Sequence, residues 1–64
     1  MIRINGADID AEELKLTDYL EENGYGSQRI AVERNEEIVP KAQYGSCILH
    51  SGDVVEIVSF VGGG

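Results

Sequence analysis

The sequence predicts an α+β fold, in which a mixed sheet of four to five strands carries one short helix packed on one face. Three observations lead to this prediction: an Asn5-Gly6 turn between two short strand-like runs, one helix-like stretch at 18–23, and a run of Val, Ile and Phe at 54–61. Asn-Gly is a strong β-hairpin signal because both positions accept positive φ. A helix this short is unstable alone, so it has to pack on the sheet.

The N-terminal hairpin begins with a strand at 2–4, whose Ile2 and Ile4 share one face. The return strand at 7–10 is short and acidic, which suits the edge of a sheet. Residues 12–16 are predicted to form a connection to the helix.

Thr17 is expected to be the N-cap of the helix at 18–23, because a hydroxyl at that position accepts a backbone N–H bond. Asp18 in the first turn complements the helix dipole, and Gly24 lies where a C-terminal glycine cap is common. Three side chains of this region are expected to be buried: Leu16, Tyr19 and Leu20.

After a loop at 24–27, a third strand is predicted at 28–34 with Ile30 and Val32 facing inward. A turn at 35–36 leads to a short edge strand at 37–39, which is closed by a proline. Residues 41–49 are predicted to be irregular, with three side chains that fill one end of the core: Tyr44, Ile48 and Leu49. A turn at 51–53 precedes the final strand.

The order of hairpin, helix and returning strands is that of a β-grasp fold, whose first and last strands lie parallel in the centre. Both strands are rich in Ile and Val, as buried parallel neighbours are. Alternation directs Val55, Ile57 and Val61 toward the helix. It leaves Glu56 on the opposite face with three apolar residues: Val54, Val58 and Phe60. We interpret this apolar patch as a partner-docking surface, although scattered exposed apolar residues are also common.

Composition limits the function. The chain has 64 residues, enough for one small domain in which a complete catalytic cleft is hard to build. Its net charge of −7 argues against nucleic acid and favours a partner with a basic docking surface. No apolar run is long enough to cross a bilayer, and Met1–Ile4 leads directly into a strand without a signal peptide. A single cysteine excludes an internal disulfide, which fits the reducing cytoplasm.

The chain is predicted to divide into a β-grasp domain at 1–60 and a flexible glycine tail at 61–64. Val61 and the three glycines after it reach about 13–14 Å when fully extended. Without side chains on its last three residues, this tail fits a channel too narrow for other residue types. The alternative is a frayed terminus without a role.

Cys47 and His50 are the other residues with reactive side chains. Lone cysteines are more often small buried hydrophobes than persulfide carriers, and no basic residue adjoins Cys47 in the sequence. His50 has no second histidine or cysteine at metal-ligand spacing, so we predict no metal site and a loop position. The acidic pairs at 12–13 and 21–22 are interpreted as solvated faces rather than catalytic carboxylates.

The sequence resembles the sulfur carrier proteins of thiamine biosynthesis, a ubiquitin-like β-grasp family. The resembling segments are IRING at 2–6, IAVERN at 30–35, EIVPK at 37–41 and GDVVEIVSFVGGG at 52–64. Four positions depart from the usual family pattern. Glu36 replaces a glycine, Arg34 an apolar residue, Lys41 an arginine, and Tyr44 a tryptophan.

The resemblance implies that the chain is a protein co-substrate and not an enzyme. An E1-like adenylyltransferase would use ATP and Mg²⁺ to activate the Gly64 carboxylate. Sulfur from a cysteine desulfurase would then convert it to a thiocarboxylate, which a thiazole synthase accepts. Gly62, Gly63 and Val61 would enter the partner's channel, while the domain docks through three side chains: Phe60, Val58 and Val54. The chain itself would bind no cofactor.

Other functions of the same fold remain open at this point. The small subunit of molybdopterin synthase uses the same tail chemistry but is usually longer. A ubiquitin-like modifier conjugated to lysine is a further alternative. From a different class, a plain β-grasp interaction domain would have an inert tail.

Overall fold

The computed structural model describes residues 1–25 and 29–60. Seven strands, one α-helix and one 3₁₀ helix are present in these ranges. They are β1 (Ile2–Ile4), β2 (Ala7–Ile9), β3 (Glu13–Lys15), α1 (Leu16–Glu22), β4 (Arg29–Arg34), β5 (Glu37–Ile38), a 3₁₀ helix (Lys41–Ser46), β6 (Ile48–His50) and β7 (Val54–Phe60).

The principal sheet has five strands in the order β2-β1-β7-β4-β5. β1 and β7 run parallel, with Arg3 beside Val54 and Ile4 beside Val55, and every other pair in this sheet is antiparallel. This confirms the predicted mixed sheet, in which the first and last strands are central neighbours. The predicted third strand begins at Arg29 in the described residues, since 26–28 lie outside them.

Apolar alternation places one face of the sheet against α1. Val55 and Ile57 point to this inner face and are buried, as predicted. The six largest fully buried side chains come from strands of both sheets and from the helix: Ile2, Ile4, Leu16, Leu49, Val32 and Val55. Tyr19, Ile30 and Tyr44 pack against this core while partly exposed.

Two-residue turns join β1 to β2 and β4 to β5. Asn5 and Gly6 have φ of 51° and 82°, and Asn35 and Glu36 have φ of 52° and 70°. A positive φ at both central residues is the signature of the type I′ turn, whose twist matches that of the two strands. The Asn-Gly prediction is confirmed, and the second turn forms the same geometry with a glutamate at the position where glycine is easier to accommodate.

The predicted connection at 12–16 was wrong. Residues 13–15 form β3, which pairs antiparallel with β6 in a separate two-stranded sheet. The prediction that residues 41–49 are irregular was also wrong, because this segment contains the 3₁₀ helix and most of β6. Each strand has only three residues, too few for a periodic signal, and the pairing partners are far apart in sequence. Leu49 fills the core as predicted, but the neighbouring Ile48 faces outward and is exposed.

Thr17 is not the N-cap that the sequence predicted. The helix begins at Leu16, and the capping residue is Lys15, whose side chain forms no capping bond. Leu16 N–H instead donates to the carbonyl of Cys47 at 3.1 Å. Leu16 is completely buried, so packing and this tertiary hydrogen bond set the start of the helix in place of a side-chain cap. At the other end, Gly24 has the positive φ expected after a helix.

Candidate functional site: the outer face and end of β7

The exposed side of the sheet is the candidate docking surface. On β7 it presents three apolar side chains that are about half exposed: Val54 (50%), Val58 (55%) and Phe60 (56%). These are the residues that the sequence placed there, and the structure brings them together on one face. We call this surface, with Glu56 and its cross-strand partner Glu33, the outer face.

Glu33 and Glu56 lie directly opposite each other in the β4–β7 register. Side chains of directly paired residues share a face, and like charges in that arrangement are unfavourable. Neither carboxylate forms an ion pair within the described residues, where the salt bridges join Arg3 to Asp8 and Arg34 to Asp53. The outer face therefore combines exposed apolar surface with an uncompensated negative charge. The sequence showed Glu56 but not its pairing with Glu33, because register is not visible before the strands are aligned.

A polar cluster fastens the start of β7 to the β4–β5 turn. Asp53 Oδ2 accepts hydrogen bonds from Arg34 Nε at 2.9 Å and from the His50 backbone N–H at 2.8 Å, and Arg34 Nη2 lies 2.9 Å away. Asp53 Oδ1 accepts from Asn35 Nδ2 at 3.0 Å, while Asn35 Oδ1 accepts from Val54 N–H at 2.9 Å. The sequence pattern did not indicate this cluster, because its members belong to three different segments.

The charge state of Asp53 follows from these contacts. Partial burial alone would raise the pKa of Asp53 by disfavouring the charged form. The hydrogen bonds from His50 and Asn35, with the charge and hydrogen bond of Arg34, outweigh burial and hold this pKa below its ordinary value. The carboxylate is therefore a stable acceptor at neutral pH.

Asn5 fastens the middle of β7 from the other side. Its Nδ2 donates to the carbonyl of Ile57 at 3.2 Å, and its Oδ1 accepts from Ile57 N–H at 2.8 Å. β1 ends at Ile4, so the Asn5 side-chain amide forms the hydrogen bonds to Ile57 that the backbone of a longer β1 would form. The Asn-Gly pattern predicted the turn, but nothing in the sequence indicated this second role of the asparagine.

The tail, Val61 to Gly64, lies outside the described residues. The division into a domain at 1–60 and a tail at 61–64 therefore stays a prediction, as do the roles of Gly62, Gly63, Gly64 and Val61. The structure places β7 between β1 and β4, and its pairing with β4 extends to Phe60. The central strand of the sheet thus ends immediately before the segment on which the predicted chemistry depends.

Cys47 and His50 border an open cavity of about 470 Å³ on another part of the surface. The Cys47 thiol is buried, as expected for a lone cysteine, and Arg34 Nη1 lies 3.8 Å from its sulfur. That guanidinium already pairs with Asp53. His50 is exposed on β6, so its predicted loop position was wrong. No cluster of potential metal ligands occurs within residues 1–25 and 29–60.

The remaining acidic pairs are on the surface. Glu12, Glu13, Glu21 and Glu22 are all exposed, which confirms their interpretation as solvated faces. In the described part of the chain, neither helix is long and apolar enough to span a membrane.

Comparison with known proteins places this geometry in a family. The chain is 53% identical over 45 residues to a thiazole synthase of Paramagnetospirillum magneticum, a match that covers 70% of this chain and 14% of that relative. The chain thus spans only a small part of that protein. It is also 38% identical to the sulfur carrier protein ThiS of Bacillus subtilis, over 100% of both chains.

A solved structure has the same fold. The crystal structure of the thiamine biosynthesis protein ThiS from Geobacter metallireducens superimposes with a TM-score of 0.75 at 30% identity, over 98% of this chain and 97% of that one. The predicted ubiquitin-like β-grasp fold is thereby confirmed. The ThiS family model matches residues 2–64, so the predicted resemblance is confirmed as well. The chain belongs to the ThiS family.

Proposed function

We propose that this chain is the sulfur carrier for thiazole formation in thiamine biosynthesis and that Gly64 bears the sulfur. The observation that carries the proposal is the family match over residues 2–64, which includes the glycines as well as the folded domain. The match to the Bacillus subtilis carrier, over the full length of both chains, supports the same assignment.

The proposed chemistry begins with a carboxylate at Gly64. A C-terminal carboxyl group has a pKa of about 3.3–3.7, so it is ionised at neutral pH and resists nucleophilic attack. In the proposed first step, a carboxylate oxygen attacks the α-phosphorus of ATP on the adenylating partner and pyrophosphate leaves. A persulfide sulfur supplied through the desulfurase then attacks the acyl carbon, and AMP departs to leave an acyl disulfide. A thiol of the partner cleaves its S–S bond, which releases the thiocarboxylate and leaves a disulfide on the partner. ATP, Mg²⁺ and the cysteine desulfurase belong to the partners in this proposal.

The domain supplies position rather than catalysis. The central strand β7 is hydrogen-bonded through Asn5, Asn35 and its neighbouring strands, so Phe60 has a defined place on the outer face. We propose that Phe60, Val58 and Val54 dock the domain on a partner while Val61, Gly62 and Gly63 thread into its active site. Glycines suit this task because a Cβ would widen the tail.

The acceptor of the sulfur is proposed to be a thiazole synthase. The relative from Paramagnetospirillum magneticum bears the name thiazole synthase and includes a segment that is 53% identical to part of this chain. A covalent connection between two modules in one protein supports a functional contact between the same modules in another. Because such partners act in the cell interior, we also propose a cytoplasmic location.

Deletion of Gly63 and Gly64 tests the proposal. The shortened chain is expected to fold normally but to support no sulfur transfer in a reaction with adenylating enzyme, ATP, sulfur donor and thiazole synthase. Gly45→Ala is the matched glycine control, because an added Cβ there meets nothing within 4 Å. Transfer at the normal rate by the deleted chain would contradict the proposal, and would favour an interaction domain with an inert tail.

A further inference from the structure

The two neighbours of β7 pair with different lengths of it: β4 pairs with nearly all of the strand, and β1 pairs only with its beginning. On the β4 side, the register runs from Arg34 opposite Val55 to Arg29 opposite Phe60. On the β1 side, backbone pairing covers Val54 and Val55, because β1 ends at Ile4. Among the residues that the structure describes, the distal half of β7 thus has a free edge inside the sheet, in addition to the outer edges formed by β2 and β5.

Odd-numbered residues of β7 direct their backbone groups toward β1. Arg3 N–H donates to the Asp53 carbonyl at 3.0 Å, and Asn5 N–H donates to the Val55 carbonyl at 2.9 Å. Both backbone groups of Ile57 bond to the Asn5 side chain. Because strand residues alternate in direction, the N–H and C=O of Ser59 point to the same side. No hydrogen bond to Ser59 on that side occurs within the described residues.

Ser59 is exposed, and so are its neighbours Val58 and Phe60. An unpaired strand edge is a template for another strand, and addition of an extended segment to such an edge is a recurrent mode of peptide recognition. A partner segment added to this edge would continue the line of β1 beyond the Asn5-Gly6 turn. It would lie beside the side chains of Val58 and Phe60. The nearby Glu56 lacks an ion-pair partner in the described structure, and the chain's net charge is −7, which favours a segment with basic residues.

We propose that the Ser59 backbone is a β-augmentation site, at which an extended segment of the thiazole synthase pairs with the free edge of β7. The inference rests on the proposed function, which names that partner. Pairing here, one residue before the end of β7, would fix the strand from which the tail departs.

Ser59→Pro tests the inference, since proline removes the free N–H without touching the β4 ladder. Its fixed φ is tolerated where a strand N–H faces solvent. Titration against the thiazole synthase of the same organism is expected to show affinity weakened at least about ten-fold, because a buried acceptor on the partner loses its donor. Ile38→Pro is the matched control. It removes an N–H that points away from β4 at the outer edge β5 without removing a charge or an ion pair, and it should leave the affinity unchanged.

An ester in place of the Val58–Ser59 amide, introduced by chemical synthesis, gives the same test if proline disturbs folding. Hydrogen exchange supplies a further readout. The Ser59 amide should exchange quickly in the free chain and slowly in the complex, whereas the Val58 and Phe60 amides should be protected in both. Binding by a folded Ser59→Pro or ester variant within two-fold of the parent would overturn the inference and leave the proposed function standing. A parent chain that does not bind the thiazole synthase would overturn both.

Discussion

Asp53 is the residue on which the start of β7 depends most. Its two carboxylate oxygens accept from Arg34, Asn35 and the His50 backbone, so one side chain joins β7 to two other segments. Hydrogen bonds to a charged group are stronger than those between neutral groups. The ionised form is therefore part of the folded structure and not a solubility feature, in contrast to most of the other acids.

This arrangement predicts acid sensitivity. The pKa of Asp53 lies below its ordinary value of 3.8 in the folded chain, so the folded state binds this proton less readily than the unfolded state. The stabilisation is fully present above about pH 5, begins to fall as the pH approaches the unfolded pKa, and is lost once the pH is below the folded pKa. Asp53→Asn should lower the free energy of unfolding at pH 7, and its difference from the parent should shrink toward pH 3.

Urea unfolding at several pH values measures this difference. A stability difference between the parent and Asp53→Asn that stayed constant from pH 7 to pH 3 would show that the charge of Asp53 has no part in it.

At the scale of elements, the small β3–β6 sheet contributes a buried side chain to the core beside the start of the helix. Leu49 in the middle of β6 is completely buried, while Ile48 beside it is exposed to 36%. Leu49 pairs with Leu14 across the two strands. The same strand therefore offers an inward and an outward apolar residue for direct comparison.

Leu49→Ala is expected to lower the free energy of unfolding by about 2–5 kcal/mol, because it leaves a cavity in a close-packed core. Ile48→Ala, on the same strand but facing outward, should cost less, about 1–2 kcal/mol, because Ile48 is already 36% exposed to water. Chemical denaturation of both variants measures the contrast. Equal losses would mean that β6 does not alternate as the structure shows.

How far the elements could be predicted depended on local signals. Asn5-Gly6 and the alternation of Val54 to Phe60 predicted the hairpin, the central strand and the outer face, because turn chemistry and period-two patterning act over a few residues. β3 and β6 were missed because each has three residues and gains its stability from a distant partner. Thr17 misled for a related reason: the burial of Leu16 overrode the local capping preference.

In the candidate site, too, the features that depend on local sequence were predicted and those that depend on strand pairing were not. Val54, Val58 and Phe60 were assigned to the correct face from alternation alone. The Arg34–Asp53 pair, the Asn5–Ile57 bonds and the Glu33–Glu56 apposition were not predicted, because each depends on which strands become neighbours. The roles of Gly62, Gly63 and Gly64 come from the family resemblance and remain predictions.

At the scale of the molecule, the described structure is a small acidic domain whose central strand ends at Phe60, just before the glycines of the predicted tail. Its outer face presents apolar residues and two carboxylates that form no ion pair among residues 1–25 and 29–60, which suits a partner with a basic and partly apolar surface. In the proposed function, the domain fixes the position of Phe60, from which the tail begins, while other proteins carry out the chemistry at Gly64.

The mass of the intact chain tests that role most directly. The protein is incubated with the adenylating enzyme, ATP, Mg²⁺ and a sulfur donor, and the ThiS of Bacillus subtilis serves as the positive control. Exchange of one oxygen for sulfur, confined to the C-terminal peptide and dependent on ATP, is the expected result. An unchanged mass, under conditions in which the same enzymes charge the control, would contradict the assignment of this chain as a sulfur carrier.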